Sequence, residues 1–389
     1  MTVWIVNPFD NLPHEGFRPQ RYWIMAKAFA AAGHRAVCWT SDFSHALKRR
    51  RVMRREVPVP GVELKLVPTM PYGKNICLSR ILSHMRLAQS WEKLAAAELV
   101  RPDAVVASLP PLGLCGRAMK AARRAGAVFV ADVMDAWPET FERIAPAWAL
   151  APLRNAARRI YRSADAVSAV ARRYLDLAAD YGCTAPMKLC HHGIEMPPVP
   201  AAPRRPRAQR HGAFKLVYIG SMGASYDLMT LIEAVKGMPG VELDLAGAGP
   251  REPALREAAR GIQGIRFHGY LGEEDALRLL RGADAGIVPM FPDSCVGVPY
   301  KLADYAAAGL CIAECLGGET RELVESRHAG CHYEPGSAES LKNAVRRLSD
   351  SAGEWNPAGL AAEFDAARLM PDYVRWVESA VARGKGPAA

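Results

Sequence analysis

At 389 residues, half of them hydrophobic and 23% charged, the chain is long enough for two sizeable cores and too apolar for a disordered or fibrous protein. No run of about eighteen apolar residues occurs, which excludes a transmembrane helix, and MTVWIVNPF lacks the basic lead and small-residue cleavage site of a signal peptide. The formal +10 resides in the first half: residues 1–200 hold 28 Lys/Arg against 16 Asp/Glu, the remainder 22 against 24. Such a half suits an anionic partner, whether phospholipid surface, lipid pyrophosphate or nucleic acid. Nine cysteines, an odd number without a CxxC pair, read as reduced thiols in a cytoplasmic protein.

In chain order, Val3–Val6 predicts a buried strand that leads through a long loop, Asn7–Pro19, into a helix over Gln20–Ala32 capped by Gly33. Within that loop Gly16 would bring backbone amides to a phosphate, with Arg18 or Arg21 assisting. Arg35–Thr40 is the next strand. The run 48–55, KRRRVMRR, opens a basic loop continuing through Lys74, Arg80 and Arg86, with Tyr72, Ile76, Leu78, Ile81, Leu82 and Met85 interleaved. That mixture fits an anionic membrane surface; the plain alternative is a solvated loop.

Strands follow at Ala104–Ala107, Ala127–Ala131, Ala166–Ala169 and Met187–Cys190, with helices near 112–125, 147–162 and 172–181. After Ala127–Ala131, Asp135 in DVMDAWPE reads as a polar contact or proton acceptor, or as a cap for the next turn. The spacing is D-x-x-D, and Cys190-His191-His192 has no companion cluster, so no metal is expected. The segment Met196–Gly212 carries five prolines and no periodicity and predicts a linker.

The alternation then restarts: strand Lys215–Ile219, helix 227–236, strand Val241–Ala246, helix 252–259, strand Ile265–His268, helix 273–281. Each of these strands ends in a glycine loop: Gly220-Ser221-Met222-Gly223, Gly247-Ala248-Gly249-Pro250 and Gly269-Tyr270-Leu271-Gly272. Three such loops suit a nucleotide, yet none is GxGxxG followed by an acidic residue, and no Walker loop is present. Next come strand Gly286–Pro289, a loop, a helix from about Pro299 and strand Leu310–Glu314. A helix start attracts phosphate, Lys301 adds a full charge there, and Asp304 shares its helix face. Together they offer a cation for a diphosphate and an acceptor for sugar or ribose hydroxyls; the alternative is a surface Lys–Asp pair. Helices near 337–349 and at Pro371–Arg383 finish the chain, the latter with Tyr373, Trp376, Val377 and Val381 on one side. The fold class predicted is α/β, with doubly wound parallel sheets.

The segments VYIGSMGASYDLMTLIEAV, LDLAGAGPREPAL, IRFHGYLGEEDALRLLRGADAGIVPM and VPYKLADYAAAG, with RYWIMAKAFAAAGHRAVCWTSDFSH, DVMDAWPE and HHGIE before them, resemble the retaining glycosyltransferases of family four. The resemblance implies the GT-B fold: two Rossmann-like doubly wound parallel-sheet domains facing across a cleft. Residues 1–198 would form the acceptor side, 199–212 a linker, 213–366 the nucleotide-sugar domain, and 367–389 a helix crossing back. It implies that Gly16, Arg18, Gly220, Ser221, Gly247, Tyr270, Val298, Lys301 and Asp304 hold the donor, Asp304 through its ribose and Tyr270 through its base. Asp135 and Lys301 would act in catalysis, without metal and with no cofactor beyond a UDP- or GDP-sugar. The acceptor would be a saccharide or lipid-linked saccharide in cell-surface polysaccharide synthesis, at an anionic membrane through the basic half and without nucleic acid.

Two departures stand out. Of the family's two glutamates with seven residues between them, Asp304 fills the second position and Val296 the first; and Ser221, Met222, Tyr226 and Asp227 replace the usual Arg and Lys after the first glycine loop. Rival readings are a nucleotide-sugar epimerase or glycosyl phosphorylase of similar fold, or a basic nucleic-acid-binding protein.

Overall fold

The computed structural model describes residues 1–12, 15, 18–52, 59–74, 77–196, 212–351 and 353–384. Gly16, residues 53–55 of the basic run, Ile76 and most of the Pro-rich segment lie outside them. The chain divides into two compact units: Met1–Gly193 with Ala366–Ala389, and Ile194–Asp365.

The first unit runs β1 (Thr2–Val6), α1 (Arg21–Ala31), β2 (Arg35–Ser41), a hairpin of β3 (Phe43–Ser44) and β4 (Arg49–Arg50), β5 (Val62–Val67) and α2 (Leu78–Ala97). It continues through β6 (Ala104–Leu109), α3 (Leu112–Ala125), β7 (Val128–Val133), α4 (Ala147–Ser163), β8 (Ala166–Ala169), α5 (Arg172–Asp180) and β9 (Met187–Leu189). The second holds β10 (Phe214–Ile219), α6 (Leu228–Lys236), β11 (Val241–Ala246), α7 (Glu252–Ala258), β12 (Ile265–Gly269), α8 (Glu273–Gly282) and β13 (Ala285–Val288). After these come α9 (Tyr300–Ala307), β14 (Cys311–Glu314), α10 (Gly318–Ser326), β15 (Gly330–His332), α11 (Ala338–Asp350) and α12 (Pro357–Ala361); α13 (Ala366–Gly384) returns to the first unit.

Seven parallel strands form the first sheet in the order β5-β2-β1-β6-β7-β8-β9, with Val3 opposite Ala36 and Ala104. Its central strands are buried on both faces, which is why they read as unbroken apolar runs. On one face Val3, Ile5, Val106 and Val130 meet Tyr22, Met25 and Phe29 of α1 and Tyr373, Val377 and Val381 of α13. On the other, Trp4 and Trp39 pack edge-on against Trp91 of α2. The second sheet has the order β12-β11-β10-β13-β14-β15, again parallel. In both, strand order reverses beside the first strand of the unit, the place where open α/β sheets bind ligands.

The stretch expected as a basic loop is instead structured: it supplies the edge strand β5 and the twenty-residue helix α2. The helical period lies in buried Ser83, Leu87, Ala88, Trp91 and Ala95. Exposed Leu78, Ile81, Leu82 and Met85 add apolar residues on another face and obscure it in the sequence. α10 and β15 were also unforeseen; a three-residue strand is too short to show a pattern.

Candidate functional site

In the second unit the glycine loops are knitted into one layer at the carboxyl edge. Gly220 N donates to Ala246 O (3.0 Å), Met222 N to Ala248 O (3.0 Å) and Gly247 N to Gly269 O (2.6 Å). Gly247 has φ +129°, and a Cβ there would lie 1.9 Å from Gly220 O, so glycine is required by loop-on-loop packing. Ser221 is exposed, and Tyr270 on the third loop is 55% exposed.

Lys301 lies in the first turn of α9, where Pro299 is the N-cap, and is buried. Its ammonium sits over the rings of Tyr226 (3.9 Å to the centroid) and Tyr218 (4.9 Å). It also stands 2.8 Å from where a Gly220 Cβ would be, so only glycine leaves the lysine its place. Tyr218 is fixed by donating to Ser221 O, and the Tyr305 hydroxyl oxygen accepts from Ile219 N at 3.1 Å. Among the described residues the Lys301 ammonium has no hydrogen bond or ion pair; aromatic faces alone hold it. A cation so placed retains its attraction for an incoming anion. Asp304 follows one helical turn later, half-buried, and Val298 is fully packed.

In the first unit Asp135 follows β7. Its Oδ1 accepts from Ala136 N at 2.9 Å, and burial pushes its carboxyl up to about 6, against a hydrogen bond from the Trp137 side chain and the charges of Arg80 and Arg173. Asp10 caps α1 in place of Gln20, accepting from Tyr22 N (2.8 Å) and Trp23 N (3.0 Å); burial raises it to about 7. Arg51 holds the loop from the far side, donating to Asp10 O and Glu15 Oε2 at 2.7 Å each. Arg18 is half-buried ahead of α1.

Arg21, expected to assist at a phosphate, does not face a ligand. It is fully buried, donating through Nε and Nη2 to the two oxygens of Asp132 (2.8 and 2.9 Å) and through Nη1 to Cys190 O and His191 O (2.9 Å each). Ser168 donates to Asp132 at 2.6 Å, and the Tyr373 ring covers the guanidinium. Every direction toward solvent is closed.

The structure thus brings Gly220, Ser221, Gly247, Val298, Lys301, Asp304 and Tyr270 to one edge of the second unit, while Arg18 and Asp135 belong to the first. Sequence reasoning missed Tyr218 as the lysine's support and passed over Tyr226 as a mere departure. Their one available signal was position, at and just after the end of β10.

Residues 213–351 match a family model described as "Glycosyl transferases group 1", and residues 22–196 one described as "Glycosyltransferase Family 4". A glycogen synthase of Mycobacterium tuberculosis is 29% identical over 200 residues, covering 49% of this chain and 45% of its own length, so the chain matches about half of that relative. Among solved structures, sucrose-phosphate synthase from Thermosynechococcus elongatus superposes with TM-score 0.72 at 13% identity, covering 98% of this chain and 100% of that one. Anabaena HepE in complex with UDP and glucose gives 0.67 at 14% (97% and 100%), and WaaG, a glycosyltransferase involved in lipopolysaccharide biosynthesis, 0.63 at 15% (99% and 100%).

Proposed function

Because the chain belongs to the family-four-like glycosyltransferases of GT-B fold, we propose that it moves a sugar from a nucleotide-sugar, UDP-linked in preference to GDP-linked, to a saccharide or lipid-linked acceptor with retained anomeric configuration. The observation that carries the donor side is Lys301: a buried ammonium held by two tyrosine faces over Gly220, with no carboxylate neutralising it among the described residues. A diphosphate seated there would receive a full positive charge and the start of α9 as negative charge develops on the departing oxygen. Asp304 would hold the ribose hydroxyls. The HepE complex with UDP, at 14% identity, favours uracil as the base.

No enzyme carboxylate is assigned as nucleophile. The leaving phosphate would take the acceptor's proton on the same face, and the protein's part is to position the reactants and stabilise the departing charge. Asp135, ionised above about pH 6, would receive the acceptor hydroxyl's hydrogen bond from the first unit. The reaction needs no metal in this reading, and the setting is polysaccharide assembly at a cytoplasmic membrane face.

A thermal-shift panel of UDP- and GDP-sugars tests it. A ligand at a hundred times its Kd adds about 2.7 kcal/mol of stability. UDP-sugars should raise Tm in the wild type and not in Lys301→Ala; a panel without any shift would overturn the donor assignment. Incubation with donor alone separates transfer from epimerisation, since an epimerase converts donor without acceptor.

A further inference from the structure

We propose that the face built by Phe9, Tyr72, Arg80, His84 and Trp137 beside Asp135 is an acceptor subsite for a phosphate-bearing, lipid-linked saccharide. The inference rests on the transferase reading and supplies its acceptor chemistry.

Phe9 follows β1, Tyr72 follows β5 and Trp137 follows β7, so three strands of one sheet deliver rings to one place, and the turn of the β3–β4 hairpin adds His45 and Lys48. Arg80, in the first turn of α2, has its guanidinium carbon 6.0 Å from the Phe9 centroid, 6.0 Å from Tyr72 and 5.8 Å from Trp137. The His84 ring lies 5.7 Å from Phe9 and 6.1 Å from Trp137. Lys48 shares the Tyr72 ring with Arg80, its ammonium 4.8 Å from the centroid. Burial, with Arg80 adding repulsion, draws that ammonium down to about 8, and His84 is pushed to about 4 for the same two reasons. Two cations crowd one aromatic surface, and a phosphate between them relieves the repulsion and gains paired hydrogen bonds from the guanidinium. The buried His84 Nε2 has no hydrogen-bond partner among the described residues, and ring faces offer sugar C–H groups an apolar platform.

The lipid half comes from the same helix. On the turns that carry Arg80 and His84, Leu78 is 70% exposed, Ile81 58%, Leu82 42% and Met85 55%. Beyond Phe141, whose ring packs 4.6 Å from Trp137, Ile144 is 60% exposed and Trp148 79%. Large apolar side chains left in water on the helix that carries the cation, and further along the chain from the aromatic face, match an amphiphile whose phosphate meets the cations and whose hydrocarbon lies along exposed apolar residues.

Calorimetric titration of the full chain in neutral detergent micelles tests this with three probes: a farnesyl diphosphate-linked N-acetylglucosamine, N-acetylglucosamine 1-phosphate, and an uncharged farnesyl glycoside. The lipid diphosphate sugar should bind at least tenfold tighter than either of the others. Equal binding of the sugar phosphate would overturn the lipid half, and equal binding of the glycoside the phosphate half. Arg80→Gln should weaken the two phosphate probes about tenfold and leave the glycoside unchanged, with partial recovery in Arg80→Lys; wild-type binding of all three by Arg80→Gln would overturn the site. Should Arg80→Gln not fold, Lys48→Gln carries the charge arm and Leu82→Ser the lipid arm by the same criteria. UDP-dependent stabilisation read on the same samples keeps the two readings apart: its absence in the wild type sinks the donor assignment, whereas the probes report the first unit alone.

Discussion

Arg21 in the first unit and Lys301 in the second are both cations withdrawn from water, yet they are satisfied in opposite ways. Arg21 meets both oxygens of Asp132 and two main-chain carbonyls, so its charge and donors are consumed within the fold. Lys301 meets two tyrosine rings and a glycine that makes room for it. A closed ion pair fixes structure and has nothing left for a substrate. An ammonium held by quadrupoles stays attractive to an anion from outside. Burial of a cation is therefore no guide to its role; what neutralises it is.

The sharpest break of this contrast is Arg21→Leu, which strands the Asp132 carboxylate and should destabilise the first unit by about 3–5 kcal/mol in denaturant unfolding. Arg21→Met combined with Asp132→Leu should recover most of that loss; a double variant no better than the single would show that the pair is not a closed unit. Next in size, Lys301→Ala should cut kcat by one to three orders of magnitude, roughly the range for losing one charge stabiliser, with Tm unchanged or slightly raised. Near-normal turnover would remove Lys301 from the reaction.

Asp135 lies between these extremes. Its folded pKa of about 6 exceeds the ordinary 3.8, so the protonated form is favoured by folding: the stability it confers is complete below pH 4, decays between about 4 and 6, and is gone above. Asp135→Asn should therefore gain about 1–3 kcal/mol at pH 7.5, at roughly 1.4 kcal/mol per pKa unit, while losing activity. The wild-type rate should fall as pH drops through 6, a limb absent in the variant; an Asn variant with wild-type rate and the same pH limb would remove Asp135. The smallest effect expected is Tyr226→Leu, which deletes one ring face from Lys301, about 0.5–2 kcal/mol, and should lower turnover less than loss of the lysine itself.

Much of the architecture was legible because doubly buried strands such as Val3–Val6 and Ala104–Ala107 announce themselves as apolar runs. Lys301 and Asp304 were legible too, since helix spacing places them a turn apart on α9. Helix α2 was not, because its exposed leucines and isoleucine confuse the period. Nor was the Arg21–Asp132 pair, whose members stand 111 residues apart with nothing local to link them. The supports of Lys301 were hidden for the same reason: Tyr218 and Tyr226 reach it from another strand's end, and Gly247 is glycine for the sake of a neighbouring loop.

Helix α13 sets an order on biosynthesis. Tyr373 shares a hydrogen bond with Ser168 at 3.0 Å, and Glu378 pairs with His34 at 2.7 Å, so the sheet begun at Thr2 lacks one wall until residues beyond 370 leave the ribosome. The whole of the second unit is translated in that interval. The portion made later can thus mature earlier, while the portion made first waits with the part of its core that Tyr373, Val377 and Val381 complete still open, and during that wait nascent chains are most in need of a chaperone.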